Sequence, residues 1–247
     1  MTDKLWHLKS CELFRQLSPE QMGRIEMRSR SRSFAAHSPV YLPAEKADSV
    51  FLLTAGLVKV CHLTTDGKES ILAFVEPGEM FGELAIFDGD DRDEYVEAIE
   101  PAAVLMIPAE VLQQLMAESP GVAMGVTRLV GLRRHRIERR LKNLLFQSNH
   151  DRLVHLLLDL AEQFGAAEPG GIRLRVRLTH QDLANLIGST RETVTVILGR
   201  LKAKGVVSGG RRRIVLAKPQ ALAQSVLRKA PPVPKPGERS DPFFAVC

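Results

Sequence analysis

The residues best suited to chemistry lie between positions 178 and 205, in the stretch LTHQDLANLIGSTRETVTVILGRLKAKG. Arg191 and Glu192 stand side by side within it. An arginine can donate two hydrogen bonds to the edge of a guanine, and a glutamate can accept one from the amino group of a cytosine. The pair therefore suits the reading of bases. No nucleophile–base arrangement or set of metal ligands is present, so we expect neither an enzyme nor a metal site.

The sequence around this pair predicts two short helices separated by a tight break. Gly188 can take the left-handed conformation that ends a helix, and either Ser189 or Thr190 can cap the next one. Apolar residues at helical spacing give each helix a face to bury, namely Leu183, Ala184, Leu186 and Ile187 in the first and Val194, Ile197, Leu198 and Leu201 in the second. An ordinary helical hairpin would show a similar pattern. The flanking residues favour a helix-turn-helix, which presents the start of its second helix to the major groove.

The residues that follow predict a basic wing. Val206 and Val207 resemble a strand, Gly209 and Gly210 a turn, and Arg211–Arg213 the beginning of a second strand that continues to Leu216. Arginines at that place are positioned to meet DNA phosphates. The predicted DNA contacts are Thr179, Ser189, Thr190, Arg191, Glu192, Thr193, Thr195, Val196, Arg211, Arg212 and Arg213.

The elements upstream must position this predicted helix-turn-helix and its wing. Helical patterns occupy residues 5–27, and short strands separated by turn residues run from Arg30 to Ile107. Strands at such regular spacing predict a small antiparallel barrel or jelly roll, so the fold class is α+β. A short helix is expected from Pro108 to Met116, and a helix is expected from Asp151 to Phe164. Gly165–Gly171 is expected to be a loop before an alternating Arg/apolar strand.

A long helix is predicted from Gly121 to Gln147, with a repeat of seven residues. The repeat comprises Thr127, Val130, Arg134, Ile137, Leu141 and Leu144. Such a seam predicts pairing with the same helix of a second chain. The alternative is a helix packed on its own barrel. Four segments are therefore expected: a sensor-like β domain (1–118), a dimerisation helix (119–148), a winged helix (149–230) and a flexible proline-rich tail (231–247).

Composition agrees with a nucleic-acid partner. The 247 residues are 45% hydrophobic and carry a net charge of +5, with arginines concentrated at 128–140 and 211–213. Cys11, Cys61 and Cys247 are far apart and odd in number, which argues against a disulfide framework. Since no signal-peptide pattern and no apolar run of membrane-spanning length occurs, we expect a cytoplasmic protein with no membrane partner.

The order of these parts, over residues 8–217, resembles the CRP/FNR family of bacterial transcription regulators. The most specific segments are Phe81–Phe87 (FGELAIF) and Gly188–Val194 (GSTRETV), with Lys142–Phe146 (KNLLF) resembling the interdomain hinge. The resemblance implies a homodimer that reads an inverted repeat in double-stranded DNA and recruits RNA polymerase, acting as an activator or also as a repressor. It assigns base reading to Arg191 and Glu192. Val196 stands where the catabolite activator has another arginine.

The resemblance predicts the identity of the effector less directly than it predicts DNA binding. Members that bind cyclic AMP hold it by a Gly-Glu segment and an Arg-Ser clamp, together with hydroxyl side chains of the dimer helix. The matching pocket here comprises Gly82, Glu83, Leu84, Ala85, Arg92, Asp93, Ile137 and Glu138. Asp93 replaces the clamp serine, and the loop Asp88–Glu94 is expected to pack five carboxylates around Arg92. A phosphate would meet like charge there.

Three possibilities for the effector stay open at this point. The chain has no effector and is regulated by its abundance, it binds cyclic AMP, or it binds another nucleotide. The arginine-rich run from Arg133 to Arg140 would suit a dinucleotide, or it is a solvated flank of the dimer helix. A non-specific architectural DNA protein is a further alternative, which the ratio of affinities for specific and random DNA distinguishes.

Overall fold

The computed structural model describes residues 3–65, 69–87, 91–210 and 212–232. The chain folds into two compact units, Met1–Arg134 and His135–Cys247. Three predicted features fall wholly or partly outside the described residues: the acidic loop at Asp88–Asp90, the wing residue Arg211, and the tail from residue 233 onwards. The division into four segments at 118, 148 and 230 stays a prediction.

The first unit begins with helices α1 (Asp3–Ser10) and α2 (Pro19–Arg28), joined by a 3-10 turn at Glu12–Phe14. Ser18 fixes the start of α2, because its hydroxyl accepts from the Gln21 amide while the Gln21 side chain accepts from the Ser18 amide. Met22 and Ile25 lie on the buried face of α2. The predicted helical region is therefore confirmed as two helices.

In the part of the chain that the structure describes, eight strands follow, and they form two antiparallel four-stranded sheets. The strands are β1 (Arg30–Phe34), β2 (Pro39–Tyr41), β3 (Ser49–Ala55), β4 (Val58–Leu63), β5 (Glu69–Val75), β6 (Met80–Phe81), β7 (Tyr95–Ala98) and β8 (Ala102–Pro108). Their orders are β1-β8-β3-β6 and β2-β7-β4-β5. An apolar core of inward-facing residues such as Leu53, Val58 and Val96 stabilises this barrel-like fold. The predicted antiparallel β domain is confirmed.

Two helices follow the strands, α3 (Ala109–Glu118) and α4 (Pro120–Phe146). A second apolar cluster packs α1, α2 and α3 on the sheet that contains β3 and β8. Val122 and Val126 of α4 are buried in the same cluster, and Leu129 packs against it. The first three turns of α4 therefore belong to the core of the first unit.

The second unit contains α5 (Asn149–Phe164), β9 (Gly165–Glu168), β10 (Gly171–Leu174), α6 (His180–Ile187), α7 (Arg191–Ala203), β11 (Val207–Ser208), β12 (Val215–Leu216) and α8 (Pro219–Ser225). The sheet order is β11-β12-β10-β9. The expected loop at 165–171 is wrong in its first half, which pairs with β10 as strand β9. Gly165 permits this abrupt change, since a Cβ there would lie 2.2 Å from the Ala161 carbonyl oxygen.

The wing also differs from its prediction in one respect. The second wing strand was expected to begin at Arg211–Arg213, but β12 begins at Val215. Arg212 instead has a φ of 57°, a left-handed turn conformation, and it precedes the strand. Arg212 and Arg213 therefore lie in the wing turn, where their side chains are exposed.

Candidate nucleic-acid interface and effector pocket

Helix α6 is fixed at both ends by the residues that its sequence predicts. Thr179 and Asp182 form a capping box, in which each side chain accepts from the other residue's backbone amide. The hydroxyl of Thr179 also donates to the Asp182 carboxylate over 2.6 Å. Gly188 ends the helix with φ 62° and ψ 49°, as predicted. Thr179, a predicted DNA contact, is half-buried and its hydroxyl serves this cap.

Helix α7 is capped by Thr190, whose hydroxyl accepts from the Thr193 amide. Of the two predicted capping residues, Thr190 is therefore the one observed, and Ser189 is half-buried beside it. The Thr193 hydroxyl lies 3.0 Å from that of Thr190, and Thr193 itself is half-buried. These hydroxyls organise the start of the helix.

One face of α7 is exposed, and it carries the predicted base-reading residues. Arg191, Glu192, Thr195 and Val196 are all exposed, with Val196 52% accessible. The opposite face, with Val194, Ile197, Leu198 and Leu201, is buried. An exposed valine can contact only apolar groups, such as a thymine methyl. The helix thus presents an arginine, a glutamate and an apolar patch in its first two turns.

A hydrogen-bonded chain links the start of α6 to this face. His180 Nδ1 lies 2.7 Å from the Thr195 hydroxyl, which donates to the Arg191 carbonyl oxygen over 2.8 Å. Burial lowers the pKa of His180, and the charges of Lys202 and Arg191 lower it further. Sequence reasoning missed His180, because contact between residues 15 positions apart depends on how the two helices cross.

The wing supplies the remaining basic residues of this interface. Arg212 and Arg213 are exposed, and Arg213 forms an ion pair with Glu168. Arg211 lies outside the described residues. The second unit therefore combines an exposed, capped helix start with a basic turn.

In the first unit, Gly82 and Glu83 organise the segment that was predicted to form an effector pocket. Gly82 adopts the left-handed conformation, with φ 68°, and opens a 3-10 turn at Glu83–Ile86. Glu83 is 6% exposed and forms an ion pair with Arg133 of α4, which also donates to the Met80 carbonyl oxygen. Of the other predicted residues, Leu84 is exposed and Ala85 is buried.

Arg92 lies inside the barrel, 8% exposed. Its guanidinium donates to the Ser49 carbonyl oxygen over 2.6 Å, and its central carbon lies 4.2 Å from the centre of the Tyr41 ring. A second ring, that of Phe51, is 5.1 Å away. The guanidinium also lies against Gly82, where a Cβ would come within 2.8 Å of Nη1. Desolvated stacking of a cation on aromatic faces stabilises it in place.

The acids near Arg92 are arranged differently from the expectation. Asp91 and Asp93 are exposed, whereas Glu94 turns inward and accepts from the Tyr41 hydroxyl over 3.0 Å. Burial raises the pKa of Glu94, and the charge of Glu83 raises it further. The prediction that the loop acids pack around Arg92 is thus wrong for Asp91 and Asp93, which gain more from solvation than from burial.

The seam residues of α4 are largely exposed in the single chain. Ile137 and Leu141 are 53% and 54% exposed, and Leu144 is 40% exposed. Thr127, Arg134 and Glu138 are also exposed, and Val130 is half-buried. Leu144 lies close to Gly188, where a Cβ would come within 2.9 Å of its Cδ2. Ile137, Leu141 and Leu144, at spacings of four and three, therefore form an apolar stripe that is exposed to solvent in a single chain.

Across residues 3–65, 69–87, 91–210 and 212–232, no group of three or more His, Cys, Asp or Glu side chains is arranged to hold a metal ion. Within the same ranges, none of the helices combines the length and apolarity needed to cross a membrane.

A β domain followed by a long helix and a winged helix with an exposed, capped recognition helix defines a DNA-binding transcription regulator. Comparison with protein families agrees. Residues 31–119 match the cyclic nucleotide-binding domain, and residues 151–225 match the Crp-like helix-turn-helix domain.

The relatives span nearly the whole chain. The global nitrogen regulator of Synechocystis is 31% identical over 214 residues, which cover 86% of this chain and 93% of the relative. The cAMP-activated global transcriptional regulator of Mycobacterium tuberculosis is 26% identical over 212 residues, covering 86% and 95%. The solved structure of a c-di-GMP-responsive global regulator of Xanthomonas campestris superposes with a TM-score of 0.71 at 25% identity, covering 81% and 99%. The chain belongs to the CRP/FNR family of transcription regulators. These relatives are regulators rather than enzymes.

Proposed function

We propose that this chain is a cytoplasmic homodimer that binds an inverted repeat in double-stranded DNA and recruits RNA polymerase as an activator. The observation that carries the proposal is the exposed face of α7, on which Arg191 and Glu192 stand at the helix start. A helix-turn-helix inserts that end of its second helix into the major groove. Two such helices related by a twofold axis read half-sites about one helical turn apart.

The dimer is supported by the stripe on α4. Ile137 and Leu141 expose more than half of their surface. Stripes of this spacing are covered in helical coiled coils, where each apolar residue fits between four residues of the facing helix. Covering the stripe with a second copy removes that apolar surface from water and places two recognition helices in one particle.

Mutation of the stripe tests the dimer. Leu141→Glu places a charge in the seam, so we expect a monomer in analytical ultracentrifugation and a large loss of affinity for a selected DNA site. Leu42→Glu is the matched control, since Leu42 is an exposed leucine of the β domain. A Leu141→Glu variant that remains dimeric would refute the role of this seam.

Selection from a random duplex library tests the sequence-specific function. We expect an enriched inverted repeat, with a large preference over random DNA that persists as salt rises. An architectural protein would instead bind both DNAs almost equally, because phosphate contacts carry no sequence information. Enrichment of no sequence would overturn the proposal.

For the β domain, we propose that DNA binding needs no cyclic AMP. The contacts of Arg92 support this proposal. Its guanidinium donates a hydrogen bond to the Ser49 carbonyl oxygen, stacks on two aromatic rings and lies against Gly82. A phosphate between Gly82 and Arg92 would have to displace that packing. The inward Glu94, close to Glu83, adds negative charge beside the same place.

Cyclic AMP is the second candidate, because Gly82, Glu83 and Arg92 do come together and because one relative is named as cAMP-activated. Thermal unfolding with 1 mM cyclic AMP separates the two. A ligand at 100 times its Kd stabilises a folded protein by about 2.7 kcal/mol, which is a shift of several degrees. We expect no shift with cyclic AMP, and the same DNA affinity with and without it. A shift that disappears in Arg92→Gln would establish the second candidate.

A further inference from the structure

The chain continues past α8 as a short segment that folds back on the second unit. This segment comprises residues 227–232, which we call the C-terminal strap, and it lies beyond the end of the helix-turn-helix match at residue 225. Pro231 is buried, and Arg228 and Ala230 are half-buried, so the strap is packed on the protein. We propose that the C-terminal strap holds the end of α4 in place through Arg228 and Asp159, and thereby fixes the spacing of half-sites that the dimer accepts.

The end of α8 turns the strap back towards α5. Leu227 has a φ of 53°, a left-handed conformation, although it is 98% exposed. Its amide donates to the Gln224 carbonyl oxygen over 3.2 Å, and the Arg228 amide donates to the Ala223 carbonyl oxygen over 2.9 Å. These two hydrogen bonds form a Schellman motif, which usually has glycine at the left-handed position. Since a left-handed leucine is strained, contacts of the residues that follow must hold it there.

Arg228 supplies those contacts. Its guanidinium forms ion pairs with Asp159, over 2.6 Å, and with Glu162, over 2.8 Å, and it donates to the His155 carbonyl oxygen over 3.4 Å. All three partners belong to α5. Burial lowers the pKa of Arg228, but the charges of Asp159 and Glu162 outweigh burial and raise this pKa above its ordinary value. The strap is therefore bound to α5 by two ion pairs whose attraction exceeds the cost of desolvation.

Asp159 connects the strap to the dimer helix. Its Oδ1 atom is inaccessible to solvent and lies 2.6 Å from Nη1 of Arg228 and 3.3 Å from Nη2 of Arg139 on α4. Arg139 and α5 both belong to the second unit. Because Arg139 is two residues from Ile137 and two from Leu141, it lies on the side of α4 opposite the predicted seam. The connection therefore leaves the seam open to a second copy.

A second attachment joins α4 to α5 near the end of α4. Arg152 of α5 donates to the carbonyl oxygens of Leu144, over 2.6 Å, and of Gln147, over 3.0 Å. A helix fixed at one point can pivot, whereas a helix fixed at two points keeps its direction. Without Arg228, the pair of Arg139 with Asp159 becomes a solvent-exposed ion pair, which contributes little. Loss of Arg228 should therefore let α4 pivot about its remaining attachment.

The direction of α4 determines the spacing of half-sites in the proposed dimer. Each α7 is carried by the same unit as the end of α4, so a fixed direction gives a fixed distance between the two recognition helices. One base pair added between half-sites turns one of them by about 35° and moves it by about 3.4 Å. A dimer with the strap in place should reject such a change, and a dimer whose α4 can pivot should tolerate it.

This inference rests on the proposed sequence-specific function. The probes are the duplex that the wild type enriches and the same duplex with one base pair added or removed between its half-sites. We expect Arg228→Gln and Arg139→Gln each to lower the preference for the original spacing by at least about fivefold, which is typical of coupling between sites. The double variant should lose little more than either single variant, because both act through Asp159.

Lys229→Gln is the matched control, because Lys229 is the exposed neighbour of Arg228 and loses the same charge. It should keep the wild-type preference. A variant that only unfolds more easily lowers its binding to all three duplexes by one factor, so the ratio of affinities separates a loss of positioning from a loss of stability.

The direction of α4 is also measured without DNA, by the distance between spin labels at Lys142→Cys and Lys204→Cys within one subunit. Both sites are exposed, Cys11 and Cys61 are buried, and Cys247 is replaced by serine. The labelled chain is diluted with unlabelled chain, so that distances within a subunit dominate. We expect a narrow distribution for the wild type and a broader one for Arg228→Gln.

The inference is overturned if Arg228→Gln keeps either the spacing preference or the distance distribution of the wild type, and the proposed function then stands. It is also overturned if Arg139→Gln keeps the wild-type spacing preference, since the strap would then act without α4. If the wild type enriches no inverted repeat while the distances broaden in Arg228→Gln, the proposed function fails and the hold of the strap on α4 is supported.

Discussion

Replacing Arg191 by alanine should remove base discrimination while leaving the fold intact. Arg191 is exposed at the first position of α7, and the cap at Thr190 depends on the Thr193 amide rather than on the Arg191 side chain. An arginine that contacts guanine contributes about 1–3 kcal/mol of discrimination. A dimer makes the contact twice, so the cost is about 2–6 kcal/mol. That corresponds to a loss of affinity between about 30-fold and about 2 × 10⁴-fold.

The assay compares binding to the enriched inverted repeat and to random DNA by fluorescence anisotropy. Arg200→Ala is the control, since Arg200 is exposed on the same helix nine residues later, which is about 13.5 Å along the axis. Both variants lose one charge per subunit, but only Arg191→Ala should lose the preference for the repeat. Equal losses on the two DNAs would show that Arg191 contributes charge alone and would refute base reading.

Three further predictions concern the parts that position the site. Thr179→Ala should destabilise the winged helix by about 1 kcal/mol, or about 4–8 °C in Tm, through loss of the capping box, and Thr179→Ser should restore most of it. Phe81→Ala should lower the free energy of unfolding of the β domain by about 3–5 kcal/mol, because Phe81 is fully buried and stacks on Phe51 and Tyr41. Urea unfolding measures this loss, and a value below about 1 kcal/mol would contradict that packing. Burial and the charge of Glu83 raise the pKa of Glu94, so the folded chain retains a proton that the unfolded chain loses. The free energy of unfolding should therefore fall as the pH rises from about 4.3, the pKa of an unperturbed glutamate, through the raised pKa of Glu94. Glu94→Gln should remove this fall, and an unchanged pH profile of urea unfolding would contradict the assignment.

The helix-turn-helix could be predicted closely because its periodicity settles which side is buried. Once Val194, Ile197 and Leu198 face the core, Glu192 and Val196 must be exposed, since helical geometry places them on the opposite side. Gly188 also marks the end of the first helix, because glycine adopts the left-handed conformation more readily than other residues do. Most barrel strands were predictable for a similar reason, because buried residues recur within each of them.

Two strands of the β domain, β1 and β6, were missed for physical reasons. The residues of β1, RSRSF, lie at the edge of their sheet and are mostly exposed, so no apolar alternation marks them. Strand β6 has two residues, too few for a pattern. Pairing with β8 and β3 defines both, and that pairing joins residues distant in sequence.

The residues of the candidate sites were easier to predict from the sequence than the contacts that these residues make. Arg92 and Glu83 could be chosen from the sequence, but the stacking of Arg92 on Tyr41 and the ion pair of Glu83 with Arg133 could not. Each of these contacts joins residues about 50 positions apart, and no local spacing encodes them. The contact of His180 with Thr195 was missed for the same reason.

The barrel-facing residues of α4 limit how its length can change. Val122, Val126, Leu129 and Arg133 follow one another at spacings of four, three and four, and the last three lie one position from Thr127, Val130 and Arg134 of the predicted seam. Inserting one residue before Arg133 turns all that follows by about 100°, which would carry Arg133 from the barrel-facing side to the neighbouring position of the predicted seam and away from Glu83. Seven inserted residues make almost two whole turns and keep both faces aligned. Homologous proteins that keep both packings should therefore differ in the length of this helix by multiples of seven.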